Sequence, residues 1–273
     1  MGSLPKRLYI FTGKGGVGKT SLALAFTRYL KEQGHHAKYV SLSQQSLNEE
    51  EVKSDQLPKG WDDIPHLHLE LEDCAHGYIT KKMGSQMIAK WVVGTAYFRA
   101  LVNMLPGFGY VISMGKMLEL LHEDPKLILV LDAPASGHAL TMMEATSNFR
   151  EIFQSGLVFE DTEKMLSKLY DRQHTGIRIM TLPTVLAMQE ALELKAALEK
   201  LSNFDTTISL NHSLQKWQKT IAEAPLALQQ KLSLENEVQL LHPQDVKTSF
   251  AFSAAQNVNE FYQDLLPQLP ELV

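Results

Sequence analysis

The run Gly13–Thr20 (GKGGVGKT) restricts the fold of this 273-residue chain more than any other feature. Four glycines fall within the six positions 13–18, and glycine is costly to order unless the backbone needs its freedom. An apolar run at 7–12 precedes the glycines, and apolar residues at helical spacing follow them over 21–33. A strand, a glycine loop and a helix in this order, matching G-x-x-x-x-G-K-[ST], predict a loop that binds phosphate.

Each position of this loop has an expected role toward the phosphates of ATP or ADP. Successive backbone N–H groups converge on an anion, Lys19 reaches the β- and γ-phosphates, and the Thr20 hydroxyl ligates Mg²⁺. The alternative is a glycine turn that binds no ligand. The residues expected to contact nucleotide here are Gly13, Lys14, Gly15, Gly16, Val17, Gly18, Lys19, Thr20 and Ser21.

Strand-like and helix-like segments alternate along the chain, which predicts an α/β protein with a mostly parallel, twisted sheet flanked by helices. We expect strands at 7–12, 37–42, 66–71, 127–132, 177–182 and 206–211, with shorter candidates at 237–241 and 250–253. A strong helical pattern covers 184–201.

Two ranges, 78–122 and 140–172, show helical patterns without strand signals. We expect them to form a helical subdomain on one rim of the sheet. No linker divides the chain, so residues 1–273 are expected to form a single P-loop domain.

Composition argues against several classes of protein. The net charge of −5 without a basic tract disfavours nucleic-acid binding. A single cysteine, Cys74, and the lack of a signal peptide favour a cytoplasmic protein. Residues 257–273 contain no Lys or Arg and two prolines, so we expect no direct membrane anchor there.

A second motif begins where the apolar run at 127–132 ends. Asp132 stands at the position of a Walker B aspartate, which can hold Mg²⁺ through water. Five residues later, Gly137 stands where a backbone N–H can sense the γ-phosphate.

Together these motifs resemble the ArsA family, which includes arsenite-pump ATPases and ATPases that target tail-anchored membrane proteins. Residues 14–20 match its deviant Walker A pattern K-G-G-x-G-K-[ST], and 132–140 (DAPASGHAL) resemble its switch II. The resemblance implies a nucleotide-dependent homodimer, or a heterodimer with a paralogous ATPase, in which Lys14 reaches the partner's nucleotide. It also implies that Asn211 reads adenine. A solvated Lys14, and an Asn211 that caps the next helix, are the alternatives.

The chain departs from the family at switch I. Ser43 stands where the family has an aspartate that activates the attacking water, and serine is a poor base at neutral pH. Gln44 could orient that water without accepting its proton. The acidic run 49–51 is expected to be a solvated face. ATP binding is therefore a stronger inference than hydrolysis.

The metal chemistry of the family is also missing. Cys74 alone cannot form the paired-cysteine zinc site or the multi-cysteine arsenite site, and we expect neither zinc nor arsenite to bind. His66 and His68 are expected to lie on an edge strand.

Seven of the eleven methionines fall within about sixty residues, between 83 and 143. They form either a groove for an apolar helical client protein or the core of the helical region.

The leading hypothesis is a dimeric, Mg-ATP-dependent switch ATPase. The alternative is a non-hydrolysing subunit or scaffold that pairs with a competent paralogue. A partitioning ATPase acting on DNA or membrane is disfavoured by the charge and by the C-terminal residues.

Overall fold

A computed structural model describes residues 5–43, 57–105, 107–221, 225–242 and 244–273, and all structural statements concern these residues. Seven strands form one sheet in the order β3-β2-β4-β1-β5-β6-β7, and every pairing is parallel. The strands are β1 (Leu8–Gly13), β2 (His36–Leu42), β3 (His66–Leu69), β4 (Leu127–Asp132), β5 (Thr175–Thr181), β6 (Asp205–Ser213) and β7 (Val246–Ala251).

The helices flank the sheet, which confirms the predicted α/β class and is consistent with a P-loop NTPase-like fold. The α-helices are α1 (Lys19–Glu32), α2 (Leu71–Met83), α3 (Gln86–Val93), α4 (Ala96–Met104), α5 (Phe108–Glu123), α6 (Ser136–Phe153), α7 (Leu157–Leu169), α8 (Val185–Leu201), α9 (Gln218–Ile221), α10 (Leu226–Leu241) and α11 (Val258–Leu265). Short 3₁₀ turns cover Gln215–Trp217 and Leu269–Leu272.

Side chains of the buried strands point alternately to the two faces of the sheet and form two separate hydrophobic cores. In β1, Tyr9 and Phe11 pack with α1, α11 and the C-terminal turn, whereas Leu8 and Ile10 pack with α5, α6 and α8. Successive side chains of a strand point to opposite faces, so a strand covered on both sides must be apolar throughout. This explains the uninterrupted apolar run in β4.

Helices occupy both ranges in which helical pattern was predicted. Helix α2 begins at Leu71, earlier than expected, and packs against α3 and α5. Helix α5 also contacts α6 and α7, which links the two ranges. A small core formed by Leu71, Ala75, Phe98 and Val102 lies apart from the two main ones.

The candidate strand at 237–241 is wrong, because these residues form the last turns of α10. The buried residues of α10 are Leu232, Glu235 and Val238, which recur every three positions along one helical face. The candidate at 250–253 overlaps only the last two residues of β7, since β7 begins at Val246. The remaining strand predictions are confirmed with small shifts at their ends. His66 and His68 lie on β3, at the edge of the sheet, as expected.

The C-terminal residues are part of the core. Tyr262, Leu265, Leu269 and Leu272 are buried beside α1. Within the described residues, no helix combines the length and the apolar character needed to cross a membrane.

Candidate functional site

The glycine loop connects β1 to α1 at the edge of the sheet where the parallel strands end. This edge is where ligands bind in open α/β sheets. Two glycines have no room for a side chain: a Cβ on Gly13 would lie 2.1 Å from the Met180 carbonyl oxygen, and one on Gly18 would lie 2.3 Å from Asn211 Nδ2. Both have positive φ, 138° and 88°, as does Gly16 at 80°. The backbone itself therefore requires these glycines.

The two lysines of the loop have different partners. Lys19 is half-buried, and its Nζ donates a hydrogen bond to the Lys14 carbonyl oxygen at 3.0 Å. Burial lowers the pKa of Lys19, and the nearby Asp132 carboxylate partly offsets this effect. The Nζ of Lys14 points the other way and lies 2.6 Å from Glu190 Oε1 on α8. Lys14 is therefore ion-paired within its own chain.

Thr20 and Asp132 meet as the two motifs require. The Thr20 hydroxyl donates to Asp132 Oδ2 at 2.6 Å, and the Tyr39 hydroxyl from β2 donates to the same oxygen at 2.9 Å. Strand pairing of β4 with β1 and β2 brings these elements together. A hydroxyl and a carboxylate in contact beside a glycine loop are the donor set that Mg²⁺ takes in P-loop proteins.

The other carboxylate oxygen, Asp132 Oδ1, is buried and has no hydrogen-bond partner among the residues that the structure describes. Burial raises the pKa of Asp132, although hydrogen bonds from Thr20 and Tyr39 and the charge of Lys19 act against this rise. An unpartnered buried oxygen is costly, and native proteins rarely leave one without a reason. The Thr20 hydroxyl and the Asp132 carboxylate therefore fit a hydrated divalent cation.

Asn211 braces the loop in this structure. It lies at the end of β6, is buried, and its Nδ2 donates to the Val17 carbonyl oxygen at 2.9 Å. Its Oδ1 accepts the His212 N–H at 2.9 Å. It does not cap the following 3₁₀ turn, whose N-cap is Leu214.

The switch positions are only partly described. Ser43 follows β2, and its N–H donates to the Leu69 carbonyl oxygen at 3.1 Å, which continues the pairing with β3. Gln44 and the acidic run 49–51 lie outside the described residues. Gly137 is the second residue of α6, and among the described residues nothing lies within 4 Å of the space its side chain would fill.

Two residues of the site carry no recognisable motif. Tyr39 lies in the middle of β2, where a buried tyrosine is ordinary, and only the register of β2 against β4 places its hydroxyl at Asp132. Glu190 is one of several charged residues along α8, and only tertiary packing sets it beside Lys14.

The structure divides the methionine cluster into two groups. Met114, Met117, Met142 and Met143 are buried in the core. The other three methionines are exposed on α2, α3 and α4, together with three other large apolar side chains. The methionines are Met83, Met87 and Met104, and the others are Ile88, Trp91 and Tyr97.

His68 and Cys74, which are near each other in the sequence, have surroundings of different kinds. His68 Nδ1 lies 2.9 Å from Ser41 Oγ, and burial raises the pKa of Cys74 to about 11, so this thiol stays protonated. In the described part of the chain, no three His, Cys, Asp or Glu side chains cluster as a metal site would require.

Comparison with known proteins points to ATPases. The chain is 26% identical over 220 residues to the ATPase BagA of Mycobacterium tuberculosis, an alignment that covers 74% of this chain and 63% of the relative. A Mycobacterium bovis protein, Mb3704, whose name assigns it provisionally to the ATPases, matches equally well. The alignment thus spans less than two thirds of the length of these curated relatives. No family model matches the chain. These relatives support an ATPase family for the chain.

Proposed function

We propose that the chain binds ATP and ADP with Mg²⁺ in the Gly13–Ser21 loop and acts as an ATPase switch. The observation that carries the proposal is the Thr20–Asp132 contact beside a loop in which Gly13 and Gly18 have no room for a side chain, with Asp132 Oδ1 buried and unpartnered among the described residues. The names of the relatives support the same activity.

In this proposal each residue has a distinct task. The loop N–H groups and the start of α1 bind the phosphates, because a helix N-terminus carries partial positive charge. Lys19 exchanges its bond to the Lys14 carbonyl for the β- and γ-phosphates. Bound Mg²⁺ would supply charge neutralisation between those phosphates. Asp132 and Thr20 hold it, and Gly137 contacts the γ-phosphate.

We further propose an ArsA-type arrangement in which nucleotide closes a dimer, either with a second copy or with a paralogous ATPase. Lys14 then leaves Glu190 and reaches the partner's nucleotide. The pair is part-exposed, so breaking it costs little, roughly 1 kcal/mol or less. The exposed apolar side chains on α2, α3 and α4 are where an apolar helical client would bind.

One observation favours a second candidate, a subunit that binds nucleotide without hydrolysing it. The described end of β2 offers Ser43 where a base would be needed. Loss of a positioned base typically lowers a rate by about 10²–10⁴.

Steady-state phosphate release separates the two candidates. We expect wild-type protein to release phosphate from ATP only when Mg²⁺ is present, and Lys19→Met to remove this activity. A background rate in wild type that rises in Ser43→Asp would favour the non-hydrolysing subunit. If wild type releases phosphate at an above-background rate that does not depend on Mg²⁺, or if Lys19→Met keeps a full above-background rate, the proposed site is wrong.

A further inference from the structure

The hydroxyl group of Tyr39 reaches Asp132 along one face of the sheet. The register of β2 against β4 pairs Tyr39 with Val130, and Asp132 lies two residues further along β4. Residues two apart on a strand share a face and are separated by about 6.6 Å. The Tyr39 side chain spans this step, and its hydroxyl donates to Asp132 Oδ2 at 2.9 Å. A short side chain at position 39 would not reach the carboxylate.

The surrounding structure holds Tyr39 in this orientation. Its side chain is buried in the core that includes the apolar face of α1. Its strand lies between β3 and β4, and the Tyr39 N–H donates to the Pro65 carbonyl oxygen at 2.9 Å. A ring packed at the density of a protein interior stays in one rotamer, so the hydroxyl is in place before any ligand binds.

Both hydrogen bonds to the Asp132 carboxylate fall on one of its oxygens. Oδ2 accepts the Thr20 hydroxyl from α1 at 2.6 Å and the Tyr39 hydroxyl from β2, whereas Oδ1 is buried and has no partner within the described ranges. Two donors from different elements fix the carboxylate more tightly than Thr20 alone would. They also leave Oδ1 as the oxygen that a ligand can use.

The same arrangement leaves the Thr20 oxygen able to bind a cation. A threonine hydroxyl has one proton and two lone pairs, and here the proton is directed to Asp132. A tyrosine hydroxyl is likewise protonated at neutral pH and donates a single hydrogen bond. Tyr39 therefore supplies Asp132 with a second hydrogen bond while the lone pairs of Thr20 remain available.

We propose that Tyr39 is a positioning residue for Mg²⁺: its hydroxyl orients the Asp132 carboxylate so that Oδ1 stays available to the hydrated cation that accompanies the nucleotide. This inference rests on the proposed function and adds a residue that lies outside both sequence motifs. Carboxylates at metal sites are commonly oriented by further hydrogen bonds, and loss of such a bond typically lowers metal affinity about 10- to 100-fold. Because Tyr39 acts through Asp132, its effect should appear only when the metal is present.

Calorimetric titration of the full chain with a non-hydrolysable ATP analogue, once in Mg²⁺ and once in EDTA, tests the proposal. Tyr39→Phe keeps the ring in the core and removes the hydroxyl. We expect this variant to bind the analogue about 10- to 100-fold more weakly than wild type in Mg²⁺, and within about twofold of wild type in EDTA. General damage to the pocket would weaken binding in both conditions, so the ratio of the two affinities isolates the metal contact.

Tyr9→Phe is the matched control. Tyr9 lies on β1 in the same core and is fully buried, and its hydroxyl accepts the Lys6 N–H at 2.9 Å, at the opposite end of the strand from the glycine loop. Removing this hydroxyl should leave both affinities within about twofold of wild type, because no partner of Tyr9 is shared with Asp132.

A double-mutant cycle tests whether Tyr39 acts through Asp132. Asp132→Ala removes the carboxylate, and in that background Tyr39→Phe should not change the ratio of the affinities in Mg²⁺ and EDTA any further. An equal effect of Tyr39→Phe with and without the Asp132 carboxylate would overturn the proposal.

Two other results would overturn this inference and leave the phosphate site intact. One is a folded Tyr39→Phe variant that keeps the wild-type ratio of affinities, and the other is a variant that loses affinity equally in Mg²⁺ and in EDTA. A wild type that binds the analogue equally in both conditions would overturn the metal site together with the role of Tyr39. A wild type that binds the analogue in neither condition would overturn the proposed function as well.

Discussion

Replacing Gly18 with alanine should destabilise the protein more than the same change at Gly15 or Gly16. Gly18 has φ 88°, and a Cβ there would lie 2.3 Å from Asn211 Nδ2. The left-handed backbone costs an alanine about 1–2 kcal/mol. Displacing the buried Asn211 amide from the Val17 carbonyl costs about 1–3 kcal/mol more. Together they predict a loss of about 2–5 kcal/mol in the free energy of unfolding.

Two neighbouring glycines provide matched controls. Gly16 has φ 80° with nothing within 4 Å of its Cβ position, so Gly16→Ala should cost only the backbone strain, about 1–2 kcal/mol. Gly15 has neither positive φ nor a close neighbour, and Gly15→Ala should leave stability within about 0.5 kcal/mol. Urea unfolding of nucleotide-free protein, followed by circular dichroism, measures the series.

A double-mutant cycle isolates the contact with Asn211. In an Asn211→Ala background, Gly18→Ala should cost only about 1–2 kcal/mol, so the two changes should couple by about 1–3 kcal/mol. Equal costs for Gly16→Ala and Gly18→Ala, or strictly additive changes, would refute the role given to Asn211.

Three further predictions concern charge. Glu190→Gln should change the free energy of unfolding by less than about 1 kcal/mol, since the ion pair of Glu190 with Lys14 is part-exposed. In calorimetry the same variant should bind Mg-ATP more tightly, because it removes a negative charge beside the phosphate site. Unchanged or weaker Mg-ATP affinity would contradict this prediction. Burial raises the pKa of Asp132, so its carboxyl group contributes stability below the unfolded pKa that is lost as pH rises through the folded pKa. In Mg-free thermal melts, the melting temperature of Asp132→Asn relative to wild type should therefore increase as pH rises from about 4 to about 7. A relative melting temperature that falls with pH would contradict the assignment. Burial acts to raise the pKa of Asp205, but Arg178 and Lys6 hold it below its usual value, so its contribution to stability is present above the unfolded pKa and lost as pH falls through the folded pKa. Asp205→Asn leaves the buried Arg178 without its carboxylate and should lower the melting temperature by several degrees at pH 7, and by much less near pH 2. Equal losses at the two pH values would argue against the ion pair.

Sequence pattern predicted most of the fold because periodicity reports burial directly. The apolar run of β4 is buried on both faces, and its predicted bounds agree with the structure. The segment 237–241 failed because a short apolar run fits both a buried strand and a helix end. Only the apolar spacing over the whole length of α10 distinguishes this helix from a strand.

The site was predictable where residues act through the backbone or through a fixed motif. Gly13–Thr20 and Asp132 are close in space because adjacent parallel strands end at one edge. Tyr39 and Glu190 could not be found in this way, since strand register and helix packing place them. These are tertiary effects that no local spacing encodes.

Direct binding of ATP to the wild-type chain in the presence of Mg²⁺ is the measurement that tests the central claim, a phosphate pocket built on the Gly13–Ser21 loop. Isothermal titration should give one site per chain, with affinity reduced about 10- to 150-fold in Lys19→Met, the loss expected when a charge-assisted hydrogen bond is removed. A wild type that shows no binding, or a Lys19→Met variant that binds as tightly as wild type, would contradict it.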